Sequence, residues 1–211
     1  MTEPQARDHR AGDERAKAEL LRYLQDARDA LLWKLEGLSE YDARRPLTPT
    51  GTNLLGLVKH ASGVELAYFG DTFGRPYFAG QEPPAWWYTR TAEPNDDMWA
   101  TAEESRDQIT GLYRAAWRHT DETVGALPLD AAGRVPWWPE ERAEATLHHI
   151  LVRVISDTQR HAGHADILRE SLDGSVGATR ASTNIPSGDK TWWADHHARL
   201  EQAAQAAAAK P

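Results

Sequence analysis

The chain of 211 residues contains no cysteine. This absence excludes a disulfide framework, a cysteine-based zinc finger, an iron–sulfur cluster and a cysteine nucleophile. A bound metal would have to be held by histidine and carboxylate side chains. Nine histidines are present, so such ligands are available.

Long apolar runs and an excess of positive charge are also missing. No apolar run approaches the roughly 18 residues that a membrane-spanning helix needs, and the polar start of the chain, residues 1–14, lacks the apolar stretch of a secretory signal. The formal net charge is −8, and there is no basic stripe of the kind that binds nucleic acid. We therefore expect a cytoplasmic protein that binds neither membranes nor nucleic acid.

Large aliphatic residues are few. Leu, Ile, Val and Phe make up 35 of the 211 residues, a share low enough to question whether the chain can form a core. The net charge per residue is too small for a disordered chain, however, and alanine and nine tryptophans bring the apolar fraction to 40%. We expect a folded helical domain packed with alanine, in which tryptophans make the bulky contacts.

Helical spacing of apolar residues dominates the middle of the chain. Apolar residues recur at intervals of three and four, which places them on one face of a helix, and no segment shows a convincing strand alternation. The predicted helices cover residues 13–38, 53–73, 96–125 and 139–172. This pattern predicts an all-α fold, a four-helix bundle over residues 13–174.

The two ends of the chain have a different character. Residues 1–12 are polar and aperiodic, which predicts a disordered tail. Residues 175–211 are predicted to form a linker and a C-terminal extension that docks on the bundle through Trp192 and Trp193. The Ala-rich end of this extension has nothing to bury, so we expect it to fray.

A long connection separates the second and third predicted helices. Residues 74–95 contain four prolines together with Trp86, Trp87 and Tyr88, a composition that does not suit a flexible linker. Loops of this kind often lie across a pocket. We expect these aromatic side chains to cover the mouth of the bundle.

Two of the predicted helices carry polar residues on their apolar faces. Asp157 and His161 are four residues apart, so their side chains lie one above the other. His164 is about 60° from His161 around the helix and reaches the edge of the same site. His60 lies on or next to the inward face of the second helix. Burial of a carboxylate and imidazoles is unfavourable unless a partner offsets it.

His60, Asp157 and His161 would together form a three-ligand metal site with an open position, which activates a bound water or thiol. A histidine satisfied within the core, or a surface Asp–His pair, is also compatible with this spacing. The spacing alone therefore leaves a metal site and a buried polar network open.

Four segments carry a resemblance to a known family. They are LLWKLEGLSEYDARRP (residues 31–46), LLGLVKHASGVELAYF (54–69), TQRHAGHADILRESLDG (158–174) and the late pair Trp192-Trp193. They resemble the DinB/YfiT-like superfamily of four-helix metalloproteins, and within it the actinobacterial, mycothiol-dependent transferase-like branch. The resemblance extends in order over roughly residues 13–195, and RHAGHADILRE is its most specific part.

The resemblance implies a metal held by a histidine of the second helix and by a pair of residues four apart in the last core helix. These positions correspond to His60 and to Asp157 with His161. Relatives that use mycothiol generally have glutamate at the position of Asp157. The aspartate side chain of this protein is one methylene shorter than that glutamate. His164 occupies a position that is often glutamine, so we expect it beside the ligands, with replacement of Asp157 as the alternative. The implied metal is divalent, Zn²⁺ first, with Ni²⁺ and Fe²⁺ as alternatives.

The resemblance also implies an activity, the transfer of mycothiol or a similar low-molecular-weight thiol to a small electrophile through a metal-bound thiolate. The absence of cysteine fits this activity, because the sulfur would arrive with the cosubstrate. Arg153, one turn before Asp157, is a candidate for binding that cosubstrate, as are Trp86, Trp87 and Tyr88. The alternatives are a metal-dependent hydrolase with the same ligands and a non-catalytic bundle that binds a small ligand. Association into a homodimer is left open.

Overall fold

The computed structural model describes residues 3–87, 93–179, 181–183, 185–186 and 188–210, with side chains from residue 12 onward. Among these residues the regular structure consists of α-helices and one antiparallel hairpin. The helices are α1 (Glu3–Trp33), α2 (Glu40–Arg44), α3 (Leu54–Phe69), α4 (Arg106–Ala126), α5 (Leu147–Asp173) and α6 (Lys190–Ala208). The strands are β1 (Ala132–Arg134) and β2 (Glu144–Thr146), and short 3₁₀ turns cover Asp71–Phe73, Asp96–Met98 and Glu140–Arg142.

The chain divides into two units, residues 1–175 and residues 176–211. The second unit contains α6, which is capped by the side chain of Asp189. This helix continues through the Ala-rich segment, in keeping with the high helix propensity of alanine, and fraying of its end stays a prediction. Docking of Trp192 and Trp193 on the bundle stays a prediction.

Side-chain contacts show that α3 and α4 run in the same direction. Lys59 forms an ion pair with Glu104, which lies just before α4. Further along both helices, Glu65 accepts a hydrogen bond from Thr120. Parallel neighbours need a connection that returns along the bundle, and the long stretch between α3 and α4 provides it.

The first helix runs against α4. Arg106, at the start of α4, donates a hydrogen bond to the Leu38 carbonyl beyond the end of α1. Arg28, earlier in α1, pairs with Asp121 further along α4. Helices α1 and α4 are therefore antiparallel.

The last core helix, α5, runs against α3. Asp157 lies beside His60, and Arg153, one turn earlier in α5, contacts Tyr68, two turns later in α3. The bundle of α1, α3, α4 and α5 thus has an up-down-down-up order. This confirms the predicted all-α four-helix fold.

The core lies on the inward faces of the four long helices. Its fully buried leucines lie on α1, α3 and α5, while Tyr113 and Ala116 provide the buried centre of α4. The fully buried leucines include Leu24, Leu31, Leu54, Leu55, Leu57, Leu66 and Leu147. The few aliphatic residues are therefore concentrated inside, as expected from the helical stripes.

Two helix starts differ from the sequence prediction. Helix α5 begins at Leu147, because the residues before it form the hairpin, with Gly133 opposite Ala145, and a 3₁₀ turn. Helix α4 begins at Arg106, where Ser105 and Gln108 form a capping box. Strands of three residues are too short to show an alternating pattern, which explains why the hairpin was missed.

The N-terminal segment differs as well. Helix α1 begins at Glu3, so the stretch predicted as a disordered tail, residues 1–12, is helical from Glu3 onward. Pro4 is tolerated in a first helical turn, and extension of an existing helix is far easier than its nucleation. None of the described helices is long and apolar enough to cross a membrane.

A buried ion pair joins α1 to α3 in the middle of the bundle. The guanidinium of Arg28 donates to both carboxylate oxygens of Glu65, at 3.0 and 2.5 Å, and both side chains are almost fully buried. Burial raises the pKa of Glu65, whereas Arg28 and the Thr120 hydroxyl favour its charged form. Glu65 therefore depends on Arg28 for compensation of its charge.

Replacement of Arg28 by methionine is expected to destabilise the fold by about 3–5 kcal/mol, because it leaves a buried carboxylate without its cation. The free energy of unfolding in urea measures this loss. The matched control is Arg15→Ala, which removes an exposed pair with Glu19 and should change stability very little. Equal stability of the two variants would contradict a structural role for the buried pair.

Candidate metal centre

Three of the predicted site residues come together between α3 and α5. His60 projects from α3, and Asp157 and His161 project from successive turns of α5. One ligand atom from each residue lies within 4.8 Å of the others. Because α3 and α5 are antiparallel and in contact, a single histidine on one helix faces an i,i+4 pair on the other.

The three side chains surround a gap and do not bond to one another. Asp157 Oδ2 lies 3.6 Å from His161 Nε2 and 3.8 Å from His60 Nε2. Both distances are longer than a hydrogen bond allows. Ligand atoms bound tetrahedrally to zinc at about 2.1 Å would lie roughly 3.4 Å apart. These two separations are close to that value, and all three ligand atoms lie within 4.8 Å of one another, so the residues could hold a metal ion.

One ring nitrogen of His161 lacks a partner in the described part of the chain. His161 Nδ1 is buried and has no hydrogen-bond partner among the described residues, and the whole side chain is only 13% exposed. Burial of imidazole nitrogens without partners is unfavourable. A metal at Nε2 would leave Nδ1 without a partner, so this observation shows only that His161 is not a core histidine with both ring nitrogens hydrogen-bonded.

A fourth side chain completes the arrangement. His60 Nδ1 donates a hydrogen bond of 2.6 Å to Asp97 Oδ2. This bond places the proton on Nδ1 and turns Nε2 toward the gap, as carboxylates behind metal-bound histidines commonly do. Sequence reasoning missed Asp97, because it lies in a 3₁₀ turn with no fixed spacing to the helical ligands.

Close packing against α3 sets the position of Asp97. A Cβ on Gly56 would come within 1.8 Å of the Met98 carbonyl oxygen, so only glycine allows the turn Asp96–Met98 to approach the helix here. Asn53 caps α3 and donates from its side chain to the same carbonyl at 3.1 Å. These contacts hold Asp97 against His60.

The long connection between α3 and α4 is held against Lys59, the residue before His60 in α3. Lys59 is buried and donates to the Trp99 carbonyl at 2.8 Å and to Glu104 at 3.0 Å. The buried Trp86 ring lies 4.9 Å from the same ammonium, and Trp87 packs beside Trp86. Tyr88, the third aromatic residue that the sequence singles out, lies outside the described residues.

The two histidines of the site have pKa values shifted in opposite directions. Burial lowers the pKa of His60, but Asp157 and Asp97 outweigh it and raise the pKa to about 9. Burial and the nearby His60 cation lower the pKa of His161 to about 4. Contact with His60 keeps the pKa of Asp157 below its usual value despite partial burial. Without metal at neutral pH, His60 is therefore a cation, Asp157 an anion and His161 a neutral imidazole.

His164 lies beside this group. Its ring is 5.5 Å from that of His161 in an edge-to-face arrangement, and the residue is exposed. The group of three ligand atoms includes Asp157 and not His164. The structure thus places His164 at the rim of the site.

Arg153, one turn before Asp157 in α5, lines a cavity of about 520 Å³. Its Nε donates to the Tyr68 hydroxyl at 2.8 Å, and Trp138 Nε1 donates to the same oxygen at 3.2 Å. Neither Trp86 nor Trp87 lines this cavity. The lining residues are Trp138, Pro139, Arg142, Glu144, His149 and Arg153.

Fold and site together define a class of protein, an up-down-down-up helical bundle with a histidine–aspartate–histidine cluster between its second and fourth long helices. The family model for mycothiol-S-transferase matches residues 19–174, which is most of the chain. The chain therefore belongs to the mycothiol-S-transferase family. No curated protein matches the sequence significantly.

Replacement of Asp97 by asparagine is expected to lower the pKa of His60 from its value of about 9, because the variant loses one of the two negative charges that stabilise the imidazolium. A titration of the imidazole signals of the metal-free protein by NMR measures this change. The control is Asp96→Asn, since Asp96 accepts a hydrogen bond from the Glu93 amide. An unchanged pKa of His60 in the Asp97 variant would contradict the role assigned to Asp97.

Proposed function

We propose that the protein is a metal-dependent thiol transferase that conjugates mycothiol, or a similar low-molecular-weight thiol, to a small electrophile. The observation that carries this proposal is the gap between His60, Asp157 and His161 in a chain of the mycothiol-S-transferase family. The family supports a transferase in general, and the site supports the dependence on metal. Such a protein would act in the cytoplasm, where thiols are kept reduced.

The metal would be held by His60 Nε2, His161 Nε2 and a carboxylate oxygen of Asp157. Two imidazoles and one carboxylate suit a divalent ion, with Zn²⁺ as our first choice and Ni²⁺ and Fe²⁺ as alternatives. When bound, such an ion lowers the pKa of a coordinated thiol and so provides a nucleophile near neutral pH. His164 is expected to remain at the rim.

The residues of the chain itself provide orientation and charge. Asp97 keeps the His60 proton on Nδ1, so that Nε2 faces the gap. Asp157 is the most exposed of the three, with a side chain 35% accessible to solvent, which indicates the side from which substrates enter. Arg153 lies next to this opening and would bind the cosubstrate.

The chemical step requires no nucleophile from the protein. Its sulfur belongs to the cosubstrate, since the chain has no cysteine. A carbon–sulfur bond forms at the electrophilic carbon, the thiol proton passes to solvent, and the leaving group departs with the bonding electron pair. Trp86, Trp87 and Tyr88 are proposed to border the space that the electrophile occupies.

Protein purified without a metal-affinity tag is expected to contain about one equivalent of divalent metal, because three ligands converge on one gap. Elemental analysis measures the metal content. His60→Ala and His161→Ala should each lose the metal, whereas His148→Ala, an exposed position on α5, should retain it. If both site variants kept their metal, the ligand assignment would be wrong.

Incubation of the metal-loaded protein with mycothiol and monochlorobimane is expected to yield the fluorescent conjugate. The rate should fall to the uncatalysed level after removal of the metal and recover when Zn²⁺ is restored, because thiol activation depends on the ion. Turnover of an ester or amide without added thiol would contradict the transferase and favour a hydrolase. Binding of mycothiol without any turnover would favour a non-catalytic ligand-binding protein.

A further inference from the structure

The cavity beside Arg153 has no role in the ligand set described above. We propose that it binds a hydroxyl-rich ring of the thiol cosubstrate, an inference that rests on the proposed thiol transfer. Its volume of about 520 Å³ is in the range of small-molecule binding sites. The cavity also combines an apolar wall with a few charged groups, as such sites usually do.

The charged groups of the cavity can form hydrogen bonds with hydroxyls. Arg142 and Glu144 both line it, and neither side chain forms a hydrogen bond or ion pair with another of the described residues. A hydroxyl group donates and accepts, so neighbouring hydroxyls satisfy an arginine and a glutamate together.

The apolar wall is held in a fixed position. Trp138 donates from Nε1 to the Tyr68 hydroxyl, and Arg153 donates from Nε to the same oxygen. Trp138 and Pro139 present hydrocarbon surface that suits the C–H groups of a saturated ring. The Arg153 guanidinium lies over the Tyr68 and Trp138 rings, and its terminal nitrogens have no hydrogen-bond partner among the described residues, so they are available to ring hydroxyls.

Helix α5 sets the distance from this cavity to the candidate metal centre. Arg153 precedes Asp157 by one turn, about 6 Å along the helix, and His149 precedes it by two turns, about 12 Å. A ligand whose sulfur lies beside Asp157 would place groups attached at this distance in the cavity. Mycothiol has this form, because its N-acetylcysteine carries glucosamine and inositol rings, whereas N-acetylcysteine alone does not.

Selectivity between these two thiols tests the inference. With monochlorobimane as electrophile, Arg142→Ala and Glu144→Ala are expected to lower the ratio of kcat/KM for mycothiol to kcat/KM for N-acetylcysteine about tenfold or more, because each removes a charged hydrogen-bond partner of the rings. Arg114→Ala and Glu141→Ala, exposed positions outside the cavity, are the matched controls. A ratio preserved in both cavity variants overturns the inference.

Calorimetry with S-methyl mycothiol separates this inference from the proposed function, because the methylated sulfur cannot react. The wild-type protein is expected to bind this probe, and Arg142→Ala and Glu144→Ala are expected to bind it about tenfold more weakly or worse. This result would support the cavity even if no thiol were conjugated. Conjugation of mycothiol by the wild-type protein, with equal probe binding by all variants, would overturn the cavity assignment and leave the transferase intact.

Discussion

The hydrogen bond from His60 Nδ1 to Asp97 is the interaction on which the candidate site depends. It decides which nitrogen of the imidazole faces α5, and it is possible only because a turn of the long connection lies directly against α3. Gly56 allows this approach, and Asn53 fastens the turn to the helix. The connection therefore helps to position the site, because Asp97 fixes the orientation of the His60 ring toward Asp157.

The bundle tolerates these polar groups because its interior already contains compensated charges. Arg28 and Glu65 form a buried pair, and Lys34 and Lys59 are buried with ammonium groups that reach partly exposed carboxylates. In each case the long hydrocarbon part of the side chain fills space that larger aliphatic residues would otherwise occupy. This explains how a chain with few Ile, Val and Phe residues forms a packed bundle. The candidate metal site differs from these pairs, because His161 retains a buried nitrogen without a partner in the described structure.

A feature of this protein could be predicted from the sequence when its interacting residues lie close together along the chain. The geometry of a continuous helix places Asp157 and His161 on one face, and the apolar stripes define the four long helices, so both could be predicted from spacing alone. Asp97 could not, because its position depends on the contact at Gly56, which joins segments some forty residues apart. The hairpin within residues 132–146 was missed for a related reason, since its short strands are held by pairing and packing and show no local pattern.

The central claim is that His60, Asp157 and His161 hold one divalent metal ion, and anomalous scattering from crystals of the protein grown with Zn²⁺ tests it most directly. Data collected on both sides of the zinc absorption edge show where the ion is bound. We predict a single strong peak within bonding distance of His60 Nε2, His161 Nε2 and an Asp157 carboxylate oxygen. No peak at that position, or a peak bonded to His164 and not to Asp157, would contradict the account.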